Sequence, residues 1–134
     1  MTIDKSVYGY VVDEETYPDK ATIIEEGSRG NWAYVILEGR AKVKKRTPKG
    51  MVTIDTLEEG AIFGEMGFFE KKGWVRSASV VAADGAVRVG VLDSQRLVKD
   101  YEALSPQLKA LISSLIIKLK EITEKVCAMV VAQK

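Results

Sequence analysis

Apolar and polar residues alternate in short runs along the first two thirds of the chain, and the last third changes to a helical period. Runs rich in β-branched and aromatic residues at 14–17, 21–25, 32–37, 40–46, 51–57, 75–82 and 87–92 predict strands. Within 40–46, Ala41, Val43 and the stem of Arg46 read as one face, and Lys42 and Lys44 as the other. Turn residues separate the runs at Pro18-Asp19-Lys20, 27–31, Gly39, Pro48-Lys49-Gly50 and Glu58-Glu59-Gly60. Ala83-Asp84-Gly85 reads as a tight turn joining two strands. Residues 4–12 fit either a short helix or an irregular lead-in, with Tyr8 and Tyr10 expected to pack on the strands. Short, glycine-punctuated strands at near-regular spacing predict a mainly β domain over 14–92, a closed β-barrel or jelly roll, followed by helices.

Asp93 and Ser94 suit the cap of a short helix over 95–103. Ser105-Pro106 then starts a long helix over 105–131, with serine at the cap and proline at the first helical position. Along it Leu108, Ile112, Leu115, Leu119, Ile122, Val126 and Met129 recur at alternating spacings of four and three, a heptad seam. Leu111, Ile116 and Val130 widen the stripe, so one flank is free to cover the strands. A seam this regular exceeds what one small barrel buries, and the expectation is a homodimer through this helix.

Composition narrows the function more than the fold. At 134 residues the chain reads as one domain, long enough to bury a core without disulfides. The formal net charge of +1 argues against a general attraction to nucleic acid or anionic membrane. Lys42, Lys44, Lys45, Arg46 and Lys49 make the most basic stretch, read as a solvated hairpin face whose charges protect an edge. With no histidine, the usual general acid–base and the commonest transition-metal ligand are missing, so a serine triad or a metal-dependent barrel enzyme has no support. The single cysteine, Cys127, rules out an internal disulfide and reads as a small packed residue. The N-terminus lacks signal-peptide character, and no run is apolar enough to span a bilayer, so the expectation is a soluble cytoplasmic protein.

The stretch that carries chemistry is 62–80. Gly64, Glu65 and Gly67 end an apolar run, where small residues let backbone N–H groups face outward. Such a nest favours an anion. Arg76 and Ser77 follow on the next β run, and a guanidinium there would grip a phosphate through two parallel bonds. A carboxylate beside an anion needs another task, and accepting a bond from a sugar hydroxyl suits Glu65.

Phe63-Gly64-Glu65-Met66-Gly67 followed by Arg76-Ser77-Ala78 resembles the phosphate-binding cassette of cyclic nucleotide-binding domains, most of all the bacterial catabolite activator protein branch. The likeness extends over about residues 15–130 through Tyr17-Pro18, 24–27, Tyr34-Val35-Ile36, Gly39 and the last helix. It implies a jelly-roll barrel, or double-stranded β-helix, and a bacterial regulatory sensor without enzyme activity. Its ligand would be cyclic AMP, favoured over cyclic GMP because Ser77 rather than threonine follows Arg76; no other cofactor or metal is implied.

In that likeness Arg76 and Ser77 hold the cyclic phosphate, helped by backbone N–H groups near Gly67. Gly64 permits close approach, Glu65 accepts from the ribose 2′-OH, and Ile122 or Thr123 meets the base. Met66 falls among the ligand-binding positions, although it and Phe68 suit core packing better. Val75 replaces the proline common before the arginine, and Phe68-Phe69 adds an aromatic to the pocket wall. The family often continues into a helix-turn-helix, for which this sequence leaves no room, so direct DNA binding is not expected and the downstream partner is an unknown protein. The competing expectations are a dimerising interaction module with a non-binding barrel and a cyclic GMP sensor.

Overall fold

The computed structural model describes residues 5–30, 32–64 and 74–132. A 3-10 helix, Lys5–Tyr10, leads into β1 (Val11–Tyr17), followed by β2 (Thr22–Ile24), β3 (Arg29–Gly30), β4 (Tyr34–Thr47), β5 (Gly50–Leu57) and β6 (Ile62–Phe63). After them come β7 (Trp74–Val75), β8 (Ser79–Leu92) and two helices, α1 (Ser94–Glu102) and α2 (Pro106–Ala132).

The expected jelly-roll barrel does not form. Hydrogen bonding follows an open path, β1-β8-β4-β5, with β2 added to β8 and β6 to β4. β1 and β5 stand at its two ends, and among the described residues no ladder joins them. The chain is therefore a mixed fold, an open antiparallel sheet with helices. β3 and β7 form a separate two-stranded ribbon.

The tight turn expected at Ala83-Asp84-Gly85 is also replaced. β8 runs through it, and both halves of β8 pair with the same neighbour, Ser79 to Ala83 against Lys44 to Arg40 and Arg88 to Val91 against Glu38 to Tyr34. The strand bends there instead of reversing. Asp84 and Gly85 take positive φ (59° and 118°), and opposite them β4 bends at Gly39, φ 98°. A Cβ on Gly39 would lie 2.7 Å from the Ala86 carbonyl oxygen, so the two bends are packed backbone to backbone. Gly39 is thus a corner inside one long strand, where the sequence pattern suggested a break between two.

Alternation along β4 feeds two apolar clusters. Ile36, Ala41, Val80, Ala82, Val87, Val89, Ile24 and Phe63 form one, with Tyr34 stacked on Phe63 at 5.2 Å between centroids. Ala33, Val35 and Leu92 form the other, covered by Tyr8, Tyr10, Val11 and Leu97. The two tyrosines therefore pack as their position suggested. Tyr10 also donates to Asp100 and lies under the Arg96 guanidinium, tying the 3-10 helix to α1.

Helix signals were legible. The Asp93 carboxylate accepts from the Arg96 N–H at 3.1 Å, capping α1. The Ser105 hydroxyl accepts from the Leu108 N–H at 3.2 Å, at the start of α2. Tyr101 donates to the Lys109 carbonyl at 3.0 Å and its hydroxyl lies 2.5 Å from the Ser113 hydroxyl, fixing where α2 departs. Cys127 is the one described residue of α2 that is fully buried.

Candidate functional site

The site is built around Arg76, at the end of β7. Its N–H donates to the Ser28 carbonyl and its own carbonyl accepts from the Gly27 N–H, both at 2.8 Å, so β3 and its approach hold the backbone. The residue is 9% exposed. Its guanidinium donates from Nη1 to the Gly64 carbonyl at 2.9 Å and from Nη2 to the Trp32 carbonyl at 3.0 Å. A charge this buried is stable only with bonded partners.

Gly64 has φ 78°, and a Cβ there would meet the Trp32 oxygen at 2.7 Å and Arg76 Nη1 at 3.1 Å. Gly30 plays a similar part, since its Cβ would lie 2.9 Å from Arg76 Nη2. Two missing side chains thus make room for one guanidinium. Glu65, Met66 and Gly67 lie outside the described residues, as does Phe68.

A cavity of about 370 Å³ opens beside Arg76. Gly64, Arg76, Ser77 and Ala78 form one part of its wall, and Leu119, Ile122, Thr123 and Val126 of α2 form another. Val43, Ile54, Leu57, Ile62 and Phe63 add an apolar lining with Ile24 and Val80, and Asp55 also lines the cavity. A mostly apolar chamber with a few convergent polar groups is what a small organic ligand requires. Five sequence-predicted residues, Gly64, Arg76, Ser77, Ile122 and Thr123, therefore share one cavity. Both Ile122 and Thr123 line it. Thr123 is half-buried there and Ile122 about half exposed.

The heptad seam lies mostly outward. Leu115 and Met129 are 57% and 67% exposed, and Leu108, Leu119, Ile122 and Val126 are also exposed, while Ile112 is half-buried. The face α2 turns inward carries Ile116, Thr123, Cys127 and Val130 instead. Leu119, Ile122 and Val126 have both attributes, lining the cavity and forming part of the outward stripe.

Sequence reasoning missed one polar network. Lys45 donates from Nζ to the Ser77 carbonyl at 2.8 Å and to Glu26 Oε2 at 3.1 Å. The second Glu26 oxygen accepts from the Arg46 N–H at 2.9 Å. Partial burial works to raise the Glu26 carboxyl, but the Arg46 N–H and the Lys45 ammonium outweigh it and hold the group below its ordinary value. A signal existed, because Lys45 continues the inward parity of Ala41 and Val43. The run of lysines hid it among solvated charges.

The chain matches the cyclic nucleotide-binding domain family over residues 14–101, and it belongs to that family. The matched family is described as a binding domain. Human cGMP-dependent protein kinase 2 is 31% identical over 108 residues, 76% of this chain and 14% of the kinase. The cAMP-activated global transcriptional regulator CRP of Pasteurella multocida is 37% identical over 67 residues, 49% of this chain and 32% of the regulator. The chain thus spans less than a third of either relative. Among solved structures, the EAL enzyme Bd1971 in its cAMP- and cyclic-di-GMP-bound form aligns with a TM-score of 0.73 at 26% identity, covering 84% of this chain and 29% of that one.

Among the described residues no group of three or more His, Cys, Asp or Glu could hold a metal ion. No described helix is long and apolar enough to cross a membrane.

Proposed function

We propose that this chain is a regulatory sensor for a purine cyclic nucleotide, cyclic AMP before cyclic GMP, with the cavity beside Arg76 as its site. The observation that carries the reading is the pairing of Arg76 and Ser77 with Ile122 and Thr123 around one chamber. In this reading the Arg76 guanidinium and the Ser77 hydroxyl and N–H take the cyclic phosphate. Gly64, Met66 and Gly67 shape the approach, Glu65 accepts from the ribose 2′-OH, and the α2 residues meet the base. Arg76 is suited to the task because carbonyl partners already fix its fork, so little side-chain entropy remains to be lost on binding.

The same helix that walls the cavity carries the outward apolar stripe, which supports a second role as a homodimer interface. Leu119, Ile122 and Val126 belong to both surfaces, so a ligand seated against α2 favours one helix placement over another and shifts the population of dimer states. A partner protein would read that shift.

Calorimetric titration with cyclic AMP and then cyclic GMP, on the parent and on Arg76→Ala, tests the assignment. Loss of a hydrogen-bonded charge is expected to weaken binding by roughly 1.5–3 kcal/mol, about ten- to a hundredfold. Equal affinity in parent and variant would remove Arg76 from the site. Absence of heat with both nucleotides would leave a dimerising interaction module as the better reading.

A further inference from the structure

The β8 ladder with β4 begins at the pair Lys44 and Ser79, so Ser77 and Ala78 line the cavity ahead of the sheet. A side chain anchors this crossing. The Ser77 carbonyl accepts from Lys45 Nζ at 2.8 Å, and the same ammonium meets Glu26 Oε2 at 3.1 Å. Glu26 is itself fixed at two further points, through the Arg46 N–H on its carboxylate and through its own N–H, which donates to the buried Ser79 hydroxyl at 2.9 Å.

The Lys45 side chain is only 15% exposed. Lysine is a strongly hydrated charge on a flexible stem, so holding it here costs desolvation and rotamer freedom that its two bonds must offset. The Ser77–Ala78 peptide is trans, and its N–H therefore points opposite to its C=O. An ammonium on the carbonyl side turns the Ala78 N–H away from Lys45, and polarisation through the peptide strengthens that N–H as a donor.

We propose that Lys45 is a positioning residue for the anion end of the cavity, directing the Ala78 N–H toward the bound cyclic phosphate and adding positive charge one peptide behind it. The inference rests on the nucleotide-binding reading above. The Arg76 guanidinium is held by the Gly64 and Trp32 carbonyls, and Lys45 holds the carbonyl of the next residue, Ser77. Glu26 anchors the ammonium and also tempers its charge.

The test is calorimetric titration with cyclic AMP of the parent, Lys45→Met, Lys45→Arg and Glu26→Gln, each checked for a cooperative melt. Lys45→Met is expected to bind about tenfold more weakly, the loss for a bond to a charged group. Lys45→Arg keeps charge and donors and is expected to recover most of that loss. Glu26→Gln keeps an acceptor for the Arg46 N–H but weakens the anchor of the Lys45 ammonium, so its affinity is expected to fall, by less than that of Lys45→Met.

If Lys45→Met lacks a cooperative melt, Lys45→Gln replaces it, with a weakening of at least about threefold expected. Parent-like binding by the neutral variants would overturn the proposal while leaving the nucleotide site intact. A parent that binds neither cyclic AMP nor cyclic GMP would overturn the underlying reading and this one with it.

Discussion

Substituting Gly64 with alanine separates backbone strain from crowding at the site. Gly64 and Gly27 have nearly the same positive φ, 78° and 85°, but a Cβ on Gly27 meets nothing within 4 Å. A Cβ on Gly64 meets the Trp32 carbonyl oxygen at 2.7 Å, and that oxygen is one of the two carbonyls holding Arg76. Both alanines carry the left-handed penalty, about 1–2 kcal/mol. Gly64→Ala adds an overpacking cost of about 1–3 kcal/mol, because its neighbour is backbone and cannot rotate away.

With an unfolding entropy near 2.1 cal/mol/K per residue, 134 residues convert 1 kcal/mol to about 3.5 °C in Tm. Gly27→Ala is then expected to melt about 4–7 °C below the parent, and Gly64→Ala about 7–18 °C below. Differential scanning calorimetry reads both. The ligand affinity of Gly64→Ala is also expected to fall, since the shift it forces passes to the guanidinium, whereas that of Gly27→Ala is expected to hold. Equal melting temperatures for the two variants would refute the argument that Gly64 is required by close packing.

Two further outcomes follow from other parts of the chain. The Glu26 carboxyl sits below its unfolded value, so the stability it adds is full above about pH 5 and is lost as pH falls through its folded value. Glu26→Gln is expected to melt below the parent at pH 7 and to converge with it as acid protonates the folded Glu26 carboxylate; a gap constant with pH would contradict the network. A charge in the outward stripe, as in Leu115→Lys, is expected to shift sedimentation from dimer toward monomer with little change in monomer stability, since Leu115 is 57% exposed. Unchanged sedimentation would remove α2 as the dimer surface.

Much of the local structure was legible because it follows from short-range chemistry. Asp93, Ser105 and Pro106 mark their helix starts by capping and by a fixed φ, and Ala41 and Val43 alternate inward as their pattern requires. What sequence reading misjudged was set by long-range packing. Ala83-Asp84-Gly85 has the composition of a hairpin turn, yet β4 pairs with the chain on both sides of it and holds a bend there. Strand count and spacing suggested a closed barrel, but closure depends on whether the edge strands β1 and β5 meet, which no local run encodes.

The site divides the same way. Arg76 and Gly64 were visible as a spaced motif, and both line one cavity with Ile122 and Thr123. The Gly30 and Trp32 contributions were not visible, because a missing Cβ and a backbone carbonyl act through position, not through side-chain chemistry. Lys45 was read with its neighbours as solvated charge, although its parity with Val43 set it apart.

The central claim is that one ligand bridges the Arg76 wall and the α2 wall of a single cavity. Backbone amide NMR of the protein titrated with cyclic AMP tests this most directly. The account predicts shifts that saturate together at Gly64, Arg76, Ser77 and Ala78 and at Ile122, Thr123 and Val126. Shifts confined to one wall, or none at saturating nucleotide, would contradict it.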